Sequence, residues 1–278
     1  MTEAGTSRWS RALIYALLLI CSLAFLFPLF ATLSSSLNPR GSMPSLLPKA
    51  FNYKNYVDAT TMIDFWKYLR NSFVINAISV FTSTFSSGLV GYAFSRIQAP
   101  GRKLLFMLIL STMMLPNIVI QIPTYILLQK YGLLNSFYPW LIWGIGGTPF
   151  FIFLYRQFFS TIPKELEEAA RMDGCSIFRT YWNIFLPLSI PVMVTVAIMN
   201  FQEKWGDAIV PFMFLKQAKY PLATALTNIG YTVQGNSELI VQEVTAAGSF
   251  LFMLPVIVVF FFGQRYLVEG TVSAGVKG

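Results

Sequence analysis

An all-α, polytopic membrane protein is the fold class this sequence predicts, and three observations carry the prediction. Of 278 residues, 55% are hydrophobic and only 12% charged, against a charged share of roughly 25% in soluble domains. Six segments, 12–33, 73–94, 104–128, 137–159, 184–202 and 246–266, reach the length of about 20 apolar residues that crosses a bilayer. Short alternating strands are absent, so a closed barrel is disfavoured and the lipid-facing backbone must bond within its own helices. The chain therefore reads as a single transmembrane domain over 1–278 with six transmembrane helices, and an even number of spans places both termini on one side.

Arg8 and Arg11 precede the first span as they would in a secretory leader, but the apolar run over 12–33 exceeds the usual leader core of about 7–15 residues. Retention as an anchor is expected. A long loop, 34–72, leads to the second span, where Ser79, Thr82, Ser83, Thr84, Ser86, Ser87, Gly88 and Gly91 form a small-residue surface suited to close helix approach. Arg96, Arg102 and Lys103 crowd the turn before the third span. Positive charge in a short loop favours the cytoplasmic side, which puts both termini there as well.

The third span contains Pro116, Asn117, Gln121 and Pro123, and the fourth contains Gly144, Gly146, Gly147, Thr148 and Pro149. Such residues interrupt regular helix where polar backbone lines a cavity. Asn117, Gln121, Gly146, Gly147 and Thr148, with Asn200 in the fifth span, are accordingly candidate residues of a solute path. Kinking and helix packing are the competing reading of the same residues. Trp9, Trp140 and Trp205 fall near span ends, where tryptophan anchors at the membrane interface.

Several function classes are disfavoured. With no histidine, and with Cys21 in a span and Cys175 in a loop, the sequence offers no metal-ligand cluster and no plausible disulfide. It lacks the G-x-x-x-x-G-K-[ST] phosphate loop, so ATP chemistry must reside elsewhere. Acidic residues are nearly absent from the spans, which disfavours a proton- or ion-coupled carrier. The net charge of +8 is explained by anionic lipid headgroups and requires no nucleic acid. No catalytic carboxylate pair or nucleophile with a base is present, so the chain is not expected to be an enzyme.

The polar gap at 160–183 is the most informative segment. Ser160 or Thr161 can cap a helix whose first turns hold Pro163, Glu165, Glu167 and Glu168, placing proline and negative charge where a helix start favours them. Glu167 and Arg171 are spaced for an i, i+4 pair. Ala170 and Gly174, one turn apart, leave a shallow face for a partner. A glycine within helix costs roughly 1 kcal/mol relative to alanine, which suggests a bend at Gly174 and two short helices.

Glu168-Ala169-Ala170, three residues, Gly174, nine residues and then Ile184-Phe185-Leu186-Pro187 match the spacing of the EAA loop of ABC-importer permeases. Gly91-Tyr92-Ala93-Phe94-Ser95-Arg96, Met114-Leu115-Pro116-Asn117 and Ile122-Pro123 are similar to the carbohydrate, maltose-permease branch of that family. Trp205-Gly206-Asp207 departs from the Trp-Asn-Asp usual there. The resemblance implies a permease subunit of an ATP-driven importer for a sugar or oligosaccharide, in a bacterial or archaeal cytoplasmic membrane. It implies coupling through Glu167, Glu168, Ala169, Ala170, Asp173, Gly174, Ile184, Leu186 and Pro187 to an ABC ATPase dimer that holds the ATP and magnesium, with no cofactor in this chain. A second permease subunit forming a heterodimer, an extracytoplasmic solute-binding protein and the lipid bilayer are the other implied partners. The alternative is a self-sufficient channel or facilitator for small polar solutes.

Overall fold

The computed structural model describes residues 8–42, 47–233 and 239–275. In chain order the helices are α1 (Arg8–Leu37), α2 (Lys54–Thr61), α3 (Phe65–Arg96), α4 (Arg102–Thr112), α5 (Asn117–Lys130), α6 (Tyr138–Gly146), α7 (Pro149–Thr161) and α8 (Glu165–Met172). Next comes α9 (Ile177–Thr180), which runs through a wide π turn (Tyr181–Phe185) into α10 (Leu186–Leu188). Then follow α11 (Ile190–Gly206), α12 (Ile209–Phe214), α13 (Leu222–Asn228) and α14 (Gln242–Gly275). A two-residue antiparallel pair, β1 (Thr232–Val233) with β2 (Leu239–Ile240), precedes α14.

The polytopic α-helical class is what the structure has, but not as six uniform rods. Among the described residues three helices, α1, α3 and α14, are long and apolar enough to cross a membrane alone, and two bent pairs, counted as one span each, raise the number to five. The expected third span is α4 and α5, bent by 96°. Pro116 causes the break: it sits at φ −60°, ψ 130°, outside helical geometry, and α5 begins after it. The fifth span starts later than expected, at Ile190, after a 76° bend where Ser189 leaves the helix and Pro191 follows. The expected fourth span is two shorter helices, α6 and α7, separated by Gly147 at φ 73°, ψ 157° and Thr148. That backbone conformation favours glycine.

The chain divides into two compact units. The first comprises Met1–Trp66 and Ile229–Leu254. Its polar centre is the fully buried Asn55, whose Nδ2 donates to the Ser36 and Asn38 carbonyls at 2.9 and 2.8 Å. The Tyr231 hydroxyl donates to the Ala59 carbonyl at 2.9 Å, and Gly248 on α14 leaves the room its ring needs, since a Cβ there would lie 2.5 Å from that hydroxyl.

The second unit comprises Lys67–Asn228 and Pro255–Gly278. Its main core is aromatic: Tyr92, Phe151, Tyr155, Phe159, Tyr181 and Phe185, with Val192 and Val196. The small residues of α3 let α6 and α7 approach it closely. A Cβ on Gly144 would lie 1.8 Å from Thr82 Oγ1, and one on Gly91 would lie 2.6 Å from Tyr155 Cβ. Trp9 is exposed, as an interfacial anchor would be, whereas Trp140 and Trp205 are 2% and 1% exposed and belong to the core. Trp205 lies against Phe73 and Phe201, both with ring centroids at 5.1 Å, because the chain itself covers this span end. Cys21 and Cys175 are free.

Candidate functional site

Residues 160–183 fold as helix, sharp turn and helix, although the first helix starts differently from expectation. Ser160 and Thr161 still belong to α7, and their hydroxyls donate back to the Arg156 and Phe158 carbonyls at 2.7 and 2.8 Å rather than capping α8. The residue before a proline is driven out of the helical region. Ile162 is accordingly extended at ψ 133°, and α8 begins after Lys164 without a side-chain cap. Glu165, Glu167 and Glu168 still occupy its first turn, where they favour the helix start.

Gly174 makes the bend. It lies at φ 76°, and Cys175 N–H bonds to the Ala170 carbonyl (2.9 Å) while Gly174 N–H bonds to the Arg171 carbonyl (3.0 Å). This pair of bonds closes α8 around a left-handed residue and satisfies its last carbonyls. Ser176 then starts the second helix, its hydroxyl accepting from Arg179 N–H at 3.3 Å.

Arg96, at the end of α3, fastens this hairpin to the bundle. Its buried guanidinium donates from Nη2 to the Phe159 and Ile162 carbonyls, stands 4.9 Å above the Phe185 ring, and brings Nη1 to 3.9 Å from Glu167 Oε2. Glu167 accepts in addition from Arg171 at 2.6 Å, the pair expected from the spacing. One side chain thus joins the ends of α3 and α7, the first turn of α8 and the π turn. Sequence reasoning used Arg96 as a topological charge and as the end of a family-like stretch, not as a fastener of the hairpin. The available signal was a lone arginine ending a span, with no acid one helical turn away.

The candidate coupling residues divide by exposure. Glu168, Ala169, Asp173, Gly174 and Pro187 are exposed, Ala170 is buried at 4%, and Ile184 and Leu186 lie against the aromatic core. On the shallow face that Ala170 and Gly174 share, the chain itself covers Ala170, while Gly174 stays open. An apolar group that sequence reasoning passed over is exposed instead: Met172 at 85%, Phe178 at 64% and Trp182 at 53%, with the last two rings stacked at 6.3 Å. Large apolar side chains inside a polar gap were the signal.

A second site lies among α5, α6 and α11. A cavity of about 450 Å³ is lined by Asn117, Gln121, Trp143, Glu203, Lys204 and Asp207, among others. A recess of about 50 Å³, lined by Ser79, Thr148 and Asn200, shares Trp140, Trp143 and Lys204 with it. Of the candidate path residues, then, Asn117 and Gln121 line the cavity and Thr148 and Asn200 the recess. Gly146 and Gly147 line neither; Gly147 faces Ile152 and Ser87, and its neighbour Thr148 donates its N–H to Ser87 Oγ at 3.0 Å. Asn200 is 1% exposed and donates to the Ser79 carbonyl at 3.3 Å, while its Oδ1 and Ser79 Oγ have no hydrogen-bond partner. Asp207 caps α12, accepting from Ile209 and Val210 N–H at 3.2 and 3.1 Å. Its burial pushes the carboxyl upward, against the lowering effect of those two donors and Lys204. Lys204 is paired with Glu203 at 2.7 Å. Among the described residues, no three His, Cys, Asp or Glu side chains are grouped to hold a metal.

Comparison with known proteins gives a consistent result. Residues 87–272 match the family described as binding-protein-dependent transport system inner membrane component. The chain is 31% identical, over the full length of both, to the galactooligosaccharides transport system permease protein of Bacillus subtilis. It is 28% identical to the arabinooligosaccharides permease protein of the same organism, covering 94% of this chain and 93% of the relative. The diacetylchitobiose uptake system permease protein of Streptomyces coelicolor is 29% identical over 98% and 90%. A crystal structure of a bacterial ABC transporter for import of the acidic polysaccharide alginate contains a chain of the same fold, with TM-score 0.79 and 24% identity, covering 94% of this chain and 98% of that one.

Proposed function

Because this chain belongs to the binding-protein-dependent transport system inner membrane component family, we propose that it is the permease subunit of an ATP-driven importer for a sugar or oligosaccharide, coupled to its ATPase through the hairpin of α8 and α9. Membership makes it a membrane-embedded transport component and not an enzyme. The relatives named for galactooligosaccharides, arabinooligosaccharides and diacetylchitobiose support the substrate class. In this reading the chain lies in a bacterial or archaeal cytoplasmic membrane with both termini cytoplasmic, and pairs with a second permease subunit. An extracytoplasmic solute-binding protein delivers the sugar, and an ABC ATPase dimer holds ATP and magnesium.

The observation that carries the coupling assignment is the hairpin's two-sidedness. Arg96 holds its inner side to α3 and α7, while Glu168, Ala169, Gly174, Met172 and Phe178 stand exposed on it. A partner that grips the exposed side moves the helices on the inner side, provided its contacts differ between the two states of the transporter. Ala170, Ile184 and Leu186 then serve by holding the hairpin's inner face rather than by touching the ATPase.

Reconstitution tests the whole reading. Proteoliposomes holding this chain with its second permease subunit, ATPase dimer and sugar-loaded binding protein should accumulate oligosaccharide only when ATP is supplied. The chain alone should carry none. ATP-independent flux through the isolated chain would establish the facilitator instead.

A further inference from the structure

The cavity and its recess carry an inference that deepens the importer reading and rests on it. We propose that this subunit itself contacts the transported solute, and that the contact is built for a neutral sugar unit rather than a uronate or other anionic sugar. The volume of about 450 Å³ is that of a small-molecule site, which typically combines aromatic walls with a few placed polar groups. Trp143 is 37% exposed and supplies the wall. It is held by Trp140, edge-on with centroids 5.7 Å apart, and by Phe214, also at 5.7 Å. Such a fixed ring offers an apolar face to a sugar at little entropic cost.

The unpartnered polar atoms at the cavity's edge specify what can satisfy them. Asn200 spends its amide N–H on the Ser79 carbonyl, which fixes the orientation of the amide and leaves Oδ1 as an acceptor without a donor. Gln121 Oε1 likewise has no partner. A buried, unsatisfied acceptor is costly, and a hydroxyl relieves that cost because it can donate. An ionised carboxylate only accepts. The recess of about 50 Å³ is large enough for a hydroxyl or a water.

Charge points the same way. The cavity's ionisable side chains are Glu203, Lys204 and Asp207. Lys204 is already neutralised by Glu203, so the site is neutral with Asp207 protonated and negative with it ionised. Among the described residues that line it, neither state offers a free cation for an anionic sugar, and juxtaposed like charges reject the wrong ligand.

The test uses the complete complex in nanodiscs, with Cys21 and Cys175 replaced by serine and Thr124→Cys placed on the cavity wall. α-1,4-Linked galactotriose and α-1,4-linked tri-galacturonate differ only in their C6 groups and are supplied without binding protein. Galactotriose should slow modification of Thr124→Cys by a soluble thiol reagent about tenfold more than tri-galacturonate does, and Trp143→Ala or Asn200→Leu should remove that protection. Equal protection by the two sugars, protection by neither, or protection that survives both substitutions would overturn the proposal. In the complex with native cysteines, Trp143→Ala should reduce oligosaccharide uptake about tenfold while sugar-loaded binding protein still stimulates ATP hydrolysis. Undiminished uptake would also overturn the cavity assignment. If the wild-type complex shows no stimulation at all, the importer reading fails and the protection result alone judges the cavity.

Discussion

Arg96 shows how one residue can position a site without taking part in its exposed surface. Its planar fork reaches two carbonyls, a carboxylate and a ring at once, which a lysine cannot reproduce. Arg96→Gln takes the guanidinium donor from the Phe159 and Ile162 carbonyls, of which Phe159 keeps the Ile162 N–H and Ile162 is left short of a partner, at roughly 1–3 kcal/mol, and unfastens α8 from α7. The expected outcome is a lower melting temperature and loss of sugar-stimulated hydrolysis with basal hydrolysis retained; Arg96→Lys should restore stability better than stimulation. If stimulation stays intact in Arg96→Gln, that side chain does not hold the coupling hairpin. The Glu167 to Arg171 pair was legible from its i, i+4 spacing, whereas Arg96 and Glu167 are 71 positions apart by number and only folding brings them together. The recess was half legible for the same reason. Asn200 is conspicuous in an apolar run, but nothing local says that Ser79 will face it.

At the scale of elements, hydropathy located the apolar segments and misjudged their straightness. It registers length and composition, and both halves of a bent pair satisfy it. Pro116 and Gly147 were visible as breakers; the 96° bend between α4 and α5 follows from packing that the local pattern does not encode. The glycines of α3 and α14 make a quantitative contrast. A Cβ on Gly91 would meet the backbone of α7 at 3.1 Å as well as Tyr155 Cβ at 2.6 Å, while one on Gly263 would meet only the side-chain end of Ile198. Gly91→Ala must shift a helix and should cost about 1–3 kcal/mol. Gly263→Ala should cost less, and Ile198→Val, which removes the atom 2.0 Å away, should rescue it. Thermal melts of the three variants decide this, and equal losses for the two glycines would contradict the packing account.

For the whole molecule, composition alone established the solvent. α1 exposes Leu13, Tyr15 and Phe25 at 71%, 70% and 81%, surface that is stable only against lipid or another apolar partner. The membrane class and the helical hairpin at 160–183 were therefore legible from the sequence. The apolar Met172, Phe178 and Trp182 were legible as residues but not as a surface, because their exposure depends on the turn at Gly174. The central claim is that this hairpin transmits ATPase motion. It is tested most directly by ATP hydrolysis of the complete complex with sugar-loaded binding protein, comparing wild type with Gly174→Trp and Gly174→Ala. Nothing lies within 4 Å of a Cβ at Gly174, so alanine tests the strain of its positive φ and tryptophan adds bulk on the exposed side. The account predicts that Gly174→Ala keeps most of the stimulation, and that Gly174→Trp loses both stimulation and copurifying ATPase. A Gly174→Trp complex that assembles and responds like wild type would contradict it.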